Sequence, residues 1–308
     1  MKHVIIINPT AGVKNQINKI KKLVDEAFYD TDYEIYVTKA PKDAHNYVLN
    51  YDKSDYVRFY ACGGDGTLNE VASALVGITN ADVACYPIGS GNDFMKYFGK
   101  KEDFLNFKNL INGESTKIDV IKYNDEYAIN IFNIGFDAKV VVSQRKIKKF
   151  PLMTGKSAYN LGVFTCLLKK MNYKVKIKVD GKEVYQGKML LCAIANAKCY
   201  GGGYYCAPKA DVADGILDLC AIKKISRLKL ASLIKFYKAG EHLDNPNLEK
   251  YVVYHTGKEF ELEIEKPLYY SKDGESGKSS LYKINVIPKC VNFVVPKIDT
   301  FRNNVYFI

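Results

Sequence analysis

The sequence predicts a two-domain α/β protein: an N-terminal three-layer αβα domain over residues 1–122 and a C-terminal antiparallel β-sandwich over residues 123–291. Three observations predict it. The chain has 308 residues, and single cores usually divide at roughly 250 to 300 residues. Its first third alternates short apolar runs with helical patterns, as a parallel sheet covered on both faces requires. After about Val120 strand-like runs follow one another with few helical patterns between them, the habit of a sandwich.

Residues 2–7 (KHVIII) are apolar and β-branched and end at Asn8-Pro9-Thr10-Ala11-Gly12, and residues 15–28 then repeat apolar positions at helical spacing. The alternation continues with strand 33–38, helix 42–51, strand 56–62, helix 67–75 and strand 81–87, which opens into Gly89-Ser90-Gly91-Asn92-Asp93 and a further helix. Beyond residue 120 the strand-like runs are 127–134, 175–179, 187–195, 215–223, 259–265 and 282–286, with helical patterns near 157–171 and 227–238. A last run, 290–296, suits a return to the first domain, with the tail 292–308 beside it.

Hydrophobic residues are 47% and charged residues 26% of the chain, the balance of a globular protein and not of a disordered one. No apolar run reaches the ~20 residues of a membrane-spanning helix, and the N-terminus carries no signal-peptide cleavage pattern, so a cytoplasmic protein is expected. The cysteines include no CxxC pair and several sit in apolar runs, which predicts buried free thiols. The histidines show no ligand spacing, which argues against zinc. The net charge of +11 is local: residues 139–182 hold eleven lysines and Arg145 against one acid, Asp180. An anionic partner is expected there, nucleic acid or anionic lipid.

The strongest motif is Cys62-Gly63-Gly64-Asp65-Gly66-Thr67-Leu68-Asn69, where a buried strand gives way to a helix. Glycine lets backbone N–H groups approach a polyphosphate, and a helix N-terminus adds a favourable dipole. Asp65 would repel bare phosphate, so it points to magnesium-linked chemistry; the plainer alternative is a turn with an Asp cap. Segments 8–12 and 89–93 have the same address after other strands, and such turns meet where open α/β sheets bind ligands. None is a Walker A loop or a GxGxxG. Further on, Asp211, Asp214, Gly215 and Ile216 precede a strand, and Asp214 with loop carbonyls suits a hard cation or, equally, a tight turn. Ser271-Lys272-Asp273-Gly274-Glu275 reads first as a turn.

Together these segments resemble the diacylglycerol kinase catalytic family, in particular the bacterial soluble lipid kinases related to sphingosine and ceramide kinases, and more distantly the NAD kinases. NPTAG, GGDGTLNEV, PIGSGNDF, KIDVIKYN, NIGFDAKVV, GGGYYCAPKADVADGILDL and DGE before INVIPK occur in the family's order along nearly the whole chain. The resemblance implies a nucleotide-binding N-terminal domain and an ATP- and Mg2+-dependent transfer of the γ-phosphoryl group to a lipid hydroxyl, that of diacylglycerol or a related lipid. It implies an ATP site at Asn8, Pro9, Thr10, Ala11, Gly12, Thr38, Gly63, Gly64, Asp65, Gly66, Thr67, Leu68, Asn69, Ser90, Asn92 and Asp93, with Ser90 where threonine is usual. It also implies a structural magnesium at Asp214, Asp211 and Ile216, a base at Asp273 or Glu275, and Asp65 and Asp119 as carboxylates linking the catalytic magnesium to the nucleotide.

Residues 145–153 (RKIKKFPLM) set cations beside apolar side chains. A lysine near an anionic leaflet is worth about 1 kcal/mol, so Arg145 to Met153 is the expected contact with an anionic membrane; the alternative is a solvated lysine-rich face. No nucleic-acid module accompanies the charge, so no nucleic-acid partner is expected, and the family leaves a homodimer open. One rival, an NAD kinase, shares GGDGT but not GSGNDF or ADGILDL. The other, a non-catalytic lipid- or nucleic-acid-binding protein, is opposed by the presence of both Asp214 and the DGE triplet.

Overall fold

Four parallel strands carry the first unit of the computed structural model, which describes residues 1–12, 16–147, 161, 171–273 and 275–298. They are β1 (Lys2–Ile7), β2 (Tyr33–Val37), β3 (Val57–Gly63) and β4 (Ala81–Pro87), in the order β2-β1-β3-β4. Every residue of β3 and β4 is buried, as expected of strands covered on both faces. The connecting helices are α1 (Gln16–Ala27), α2 (Asp43–Asn50) and α3 (Asp65–Ser73). Right-handed crossovers put α1 on one face and α2 and α3, which carry the chain the opposite way along the sheet, on the other. Accordingly α2 touches α3, whereas α1 meets α5 (Phe107–Ile111), which follows a 3-10 turn at Phe94–Tyr97 and the short α4 (Lys101–Phe104). These are the three layers.

The chain divides into a unit of residues 1–118 rejoined from Cys290, and a second unit, Asp119–Lys289. The second unit is an antiparallel sandwich. Its strands are β5 (Glu114–Tyr123, begun in the first unit), β6 (Glu126–Ala128), β7 (Ile131–Gly135), β8 (Tyr173–Val179), β9 (Lys182–Ala195), β10 (Leu217–Lys223), β11 (Val252–Gly257), β12 (Glu259–Lys272) and β13 (Glu275–Val295). Among the described residues two helices join them, α6 (Phe136–Ile147) and α7 (Arg227–Ala239). The long strands β9 and β12 organise the sheets: the first half of each pairs with β8 and the second half with β7. Between them lies a core that includes Phe132, Ile177, Met189, Ile194, Leu219, Leu262 and Tyr282, all fully buried, each stabilising by about 1.5–3 kcal/mol. A second cluster packs Phe136, Leu190, Ile222, Leu230 and Leu233 beneath the two helices. The end of β13 belongs to the first unit, where Phe293 pairs in parallel with Val83.

Several expectations change in detail. Helix α3 begins at Asp65 and not at residue 67, so Asp65 stands in its first turn. The run 127–134 is two strands, interrupted at Ile129-Asn130, and 282–286 and 290–296 belong to one continuous strand. Strands β5 and β11 and helix α6 have no counterpart in the sequence reading. The helical pattern near 157–171 and most of 145–153 fall outside the described residues. Cys62, Cys85, Cys192, Cys199, Cys206 and Cys220 are buried free thiols.

The charge excess is also partly answered in space. On β8 the side chains alternate inward and outward, and the outward lysines meet acids across the sheet: Lys178 pairs with Glu261 at 2.6 Å, Lys174 with Glu265 at 3.6 Å and Lys176 with Glu183 at 3.4 Å. Opposite charges on facing strands attract, so these lysines add less to an anion-seeking surface than the count by sequence implies.

Candidate active site

At the carboxyl end of β3, the Gly63-Gly64 bend packs directly against the bend that follows β4. Ile88 and Gly89 both donate their N–H to the Gly63 carbonyl, at 2.9 and 3.0 Å. A side-chain carbon on Gly89 would stand 2.5 Å from the Gly64 Cα, and one on Gly63 would stand 2.3 Å from the Thr67 hydroxyl. Neither position admits a side chain. Asn8, leaving β1, joins the same place: its amide donates to Thr67 Oγ1 at 2.9 Å, and its Oδ1 accepts from the Thr10 N–H and hydroxyl at 3.0 and 2.8 Å. Gly12 has φ +71°, and a Cβ there would meet the Ile88 carbonyl at 2.2 Å. Thr38 follows β2 and donates its N–H to Ile7. Pro9, Thr10 and Ser90 are exposed, while Thr67, Leu68 and Asn69 are buried in α3; Ala11 and Gly66 lie between these extremes. Within this unit the structure gathers the 8–12, 63–69 and 89–93 segments.

Asp65 accepts the N–H groups of Asp93 and Phe94, at 2.7 and 3.3 Å. Desolvation, then the negative charge of Asp93, raises its pKa, while the amide bonds pull it down. Asp93 itself pairs with Lys96 at 2.5 Å. Two neighbouring carboxylates held near an α-helix N-terminus suit a divalent cation better than bare phosphate. Asn92, at φ +50°, donates its amide to the Gly89 carbonyl at 2.6 Å, and its buried Oδ1 has no hydrogen-bond partner among the described residues. That unmet acceptor beside the paired glycines fits a bound group carrying a hydroxyl, a water or a cation, as a nucleotide with its metal does.

In the second unit, Asp214 Oδ1 accepts from Ile216 N at 3.1 Å and Asp211 Oδ1 from Ala213 N at 2.9 Å, around Gly215 at φ +79°. Both carboxylates are exposed, and hard oxygen donors of this kind fit magnesium. Among the described residues no group of three or more His, Cys, Asp or Glu side chains is set to hold a metal, so such a site depends on backbone oxygens. Asp119 is fully buried. Its two oxygens accept the N–H groups of Lys289 and Gly215, each at 2.6 Å. Burial raises its pKa and the two amide bonds oppose that. Asp119 thus anchors the Asp214 turn, and only its remaining lone pairs could reach a cation.

Asp273 and Glu275 flank the turn between β12 and β13. Asp273, at φ +31°, accepts through Oδ2 from two consecutive amides, Ile129 N at 2.8 Å and Asn130 N at 2.9 Å. Those amides exist because the chain breaks between β6 and β7. Glu275 binds the ammonium of Lys272, which is 2% exposed and also pairs with Glu126 at 3.3 Å.

A feature without a sequence reading lies under α6 and α7. A narrow cavity of about 40 Å³ is lined by Phe136, Val140, Leu191, Ile222 and Leu233, with Asp137, Tyr200 and Tyr237 among them. Tyr200 donates to Asp137, and burial pushes the Asp137 pKa up to about 6. An acid inside the apolar run NIGFDAKVV is the local signal for it.

Glycine bends at the ends of parallel strands, with a sandwich bearing acidic turns, are the arrangement of a two-domain kinase that takes a nucleotide as phosphoryl donor. Residues 2–123 match the diacylglycerol kinase catalytic domain, and residues 130–295 match the YegS C-terminal NAD kinase beta sandwich-like domain. A diacylglycerol kinase of Bacillus subtilis is 27% identical, covering 95% of this chain and 96% of its own. A Shewanella frigidimarina protein described as "Probable lipid kinase YegS-like" is 32% identical over 76% of this chain and 75% of its own. In fold, a diacylglycerol kinase structure from Bacillus anthracis aligns over 96% of both chains with TM-score 0.71 and 22% identity. An Archaeoglobus fulgidus NAD kinase in complex with ATP aligns over 95% of this chain and 93% of its own, with TM-score 0.50 and 12% identity. The chain belongs to the diacylglycerol kinase-like lipid kinases and is a phosphotransferase with an alcohol acceptor and a nucleotide donor. Among the described residues no helix is long and apolar enough to cross a membrane.

Proposed function

We propose that the protein transfers the γ-phosphoryl group of ATP to the hydroxyl of a diacylglycerol or related lipid at a membrane surface, with Mg2+ as cofactor. The observation that carries this reading is the close approach of the bend at Gly89, where a Cβ would stand 2.5 Å from the Gly64 Cα, beside the α3 N-terminus and the unmet Oδ1 of Asn92. Backbone there can approach phosphate closely. Asp65 and Asp93 would hold the magnesium of the nucleotide, and Asp214, Asp211 and the Ile216 carbonyl a structural one. Bound magnesium would neutralise charge on the transferring phosphoryl oxygens.

Asp273 is the proposed base, because two amides fix its carboxylate, whereas the charge of Glu275 is committed to Lys272. The lipid oxygen bonds to the γ-phosphorus as the bond to the β–γ bridging oxygen breaks; ADP leaves, and the hydroxyl proton passes to Asp273. The cavity under α6 and α7 is smaller than an ordinary ligand pocket, so an acyl chain would enter it only as the helices part. Residues 145–153 are proposed to meet the anionic leaflet.

The test offers radiolabelled ATP and Mg2+ to the protein with mixed micelles of dioleoylglycerol, and in parallel with phosphatidylglycerol, sphingosine or NAD+. Label is expected in the phosphorylated lipid. Asp273→Asn should lower kcat by about 10²–10⁴-fold, and Glu275→Gln by less. Transfer to NAD+ alone would overturn the proposal.

A further inference from the structure

Asn196 is the first residue after β9 and is 0% exposed. Its side-chain amide donates both hydrogens to main-chain carbonyls from distant parts of the sequence: Asp119 O at 2.7 Å and Ile129 O at 2.8 Å. Its own N–H donates to Asn130 O at 2.9 Å. All these groups lie within the second unit. Because both nearby partners are acceptors, the amide orientation is determined, and the buried Oδ1 is left without a partner among the described residues.

The two carbonyls belong to peptides with different duties. Asp119 is the fixed end: its N–H reaches Val212 O at 2.6 Å, and its carboxylate takes the Gly215 and Lys289 amides. The Ile129-Asn130 peptides are the carried end. They interrupt the strand between β6 and β7, and their N–H groups hold Asp273 Oδ2. Asn130 has further tethers, its amide to Cys199 O at 3.2 Å and the Ala197 N–H to its carbonyl at 3.4 Å. The Asn196 side chain thus ties the interrupted strand to the rigid turn. An amide is suited to this because a single planar NH2 group serves two acceptors at once.

We infer that Asn196 is a positioning residue for the phosphoryl-transfer step: it orients the Ile129 and Asn130 amides that aim Asp273, without touching either substrate. The inference rests on the reading of Asp273 as the base. Reacting groups misplaced by about 1 Å can lose on the order of 10²-fold in rate, so the effect should fall on kcat and leave the KM for ATP nearly unchanged.

The experiment is a double-mutant cycle on the full chain with dioleoylglycerol micelles: wild type, Asn196→Ala, Asp273→Asn and the double variant, with melting temperature measured for each. Asn196→Asp is added as a variant of the same shape, which as a buried neutral acid keeps one donor. The expected result is a 10- to 100-fold loss of kcat in Asn196→Ala, an intermediate loss in Asn196→Asp, ATP KM within about twofold, and little further loss when Asn196→Ala is added to Asp273→Asn. Full additivity, or an unchanged kcat in Asn196→Ala, would overturn the inference while the base assignment stands. An unchanged kcat in Asp273→Asn would overturn the base assignment itself, and the inference with it. If Asn196→Ala does not fold, the same cycle with Asn196→Asp decides by the same criteria.

Discussion

Arg58 shows how much a single buried residue can support. It sits on β3 at 4% exposure, with its guanidinium 2.9 Å from Asp82 of β4, and its Nη1 donates to the carbonyls of Leu110, Ile111 and Gly113 at 2.6, 2.9 and 3.1 Å. One side chain thus joins two strands and closes the end of α5. Removing one member of a buried pair leaves a bare charge, at a cost of about 3–5 kcal/mol, whereas replacing both by apolar residues is often nearly neutral. Arg58→Met should therefore lower the unfolding free energy by about that amount in urea titrations followed by circular dichroism. Arg58→Met with Asp82→Leu should recover only part of it, since three carbonyls still lose their donor; a loss below about 1 kcal/mol in the single variant would refute the account. The same scale explains what the sequence reveals of the site. Bends at Gly12, Gly63 and Gly89 are legible because a close approach or a positive φ is a local demand on residue type. The capture of Asp119 by Gly215 and Lys289, 96 and 170 residues further on, is not. Nor is the grip of Asn196, because no local pattern encodes a partner that only the folded sheet brings near.

Helices differ in how openly the sequence announces them, and α6 and α7 mark the two extremes. For α7, Ser226 accepts the Lys229 N–H at 3.3 Å, Gly240 closes the other end at φ +80°, and Glu241 N reaches back to Phe236 O at 2.9 Å. Both stops are visible in the sequence, which places the helix at 227–238 against the observed Arg227–Ala239. Ser226→Ala should cost about 1 kcal/mol of stability. Gly240→Ala should cost about 1–2 kcal/mol for the left-handed backbone, and its methyl would also press on Tyr205 and Pro208 at 3.1 and 3.2 Å. Denaturant titration of the two variants checks the order; equal stability with wild type would mean that packing alone holds the helix. Helix α6 lacks such signals: Val140, Val141 and Val142 favour strand, and the segment is helical because it packs across β7, β9 and β12. The break between β6 and β7 escapes the pattern for a related reason, since Ile129 and Asn130 continue a strand-like run and are diverted by distant partners, Asp273 and Asn196.

Across the whole molecule the two units should respond differently to acid. In the first, His3 lies against Tyr60, with Nδ1 2.9 Å from the hydroxyl, and burial, then the charge of Arg58, lowers its pKa to about 4. In the second, burial likewise lowers His242 to about 4, but Asp137 and Asp218 are raised to about 6, again chiefly by burial. The signs oppose each other. A histidine lowered in the folded state stabilises above its unfolded pKa of about 6.5, and that stability drains away as the pH falls toward 4. A raised aspartate does the reverse: its contribution is present below about 3.8 and is lost as the pH climbs through about 6. Acidification from pH 7 to 5 therefore nearly balances in the second unit, where Asp119 is also raised, and in the first leaves His3 opposed by Asp65. Since the unfolded chain takes up the His3 proton near pH 6.5 and the folded chain resists it until about 4, His3 should cost about 2 kcal/mol at pH 5. Asn at this position can still bond Tyr60 and never charges. His3→Asn should thus melt more nearly alike at pH 7 and pH 5 than wild type does, by about that 2 kcal/mol; equal losses in both proteins would show that His3 takes up its proton as readily in the folded chain as in the unfolded one.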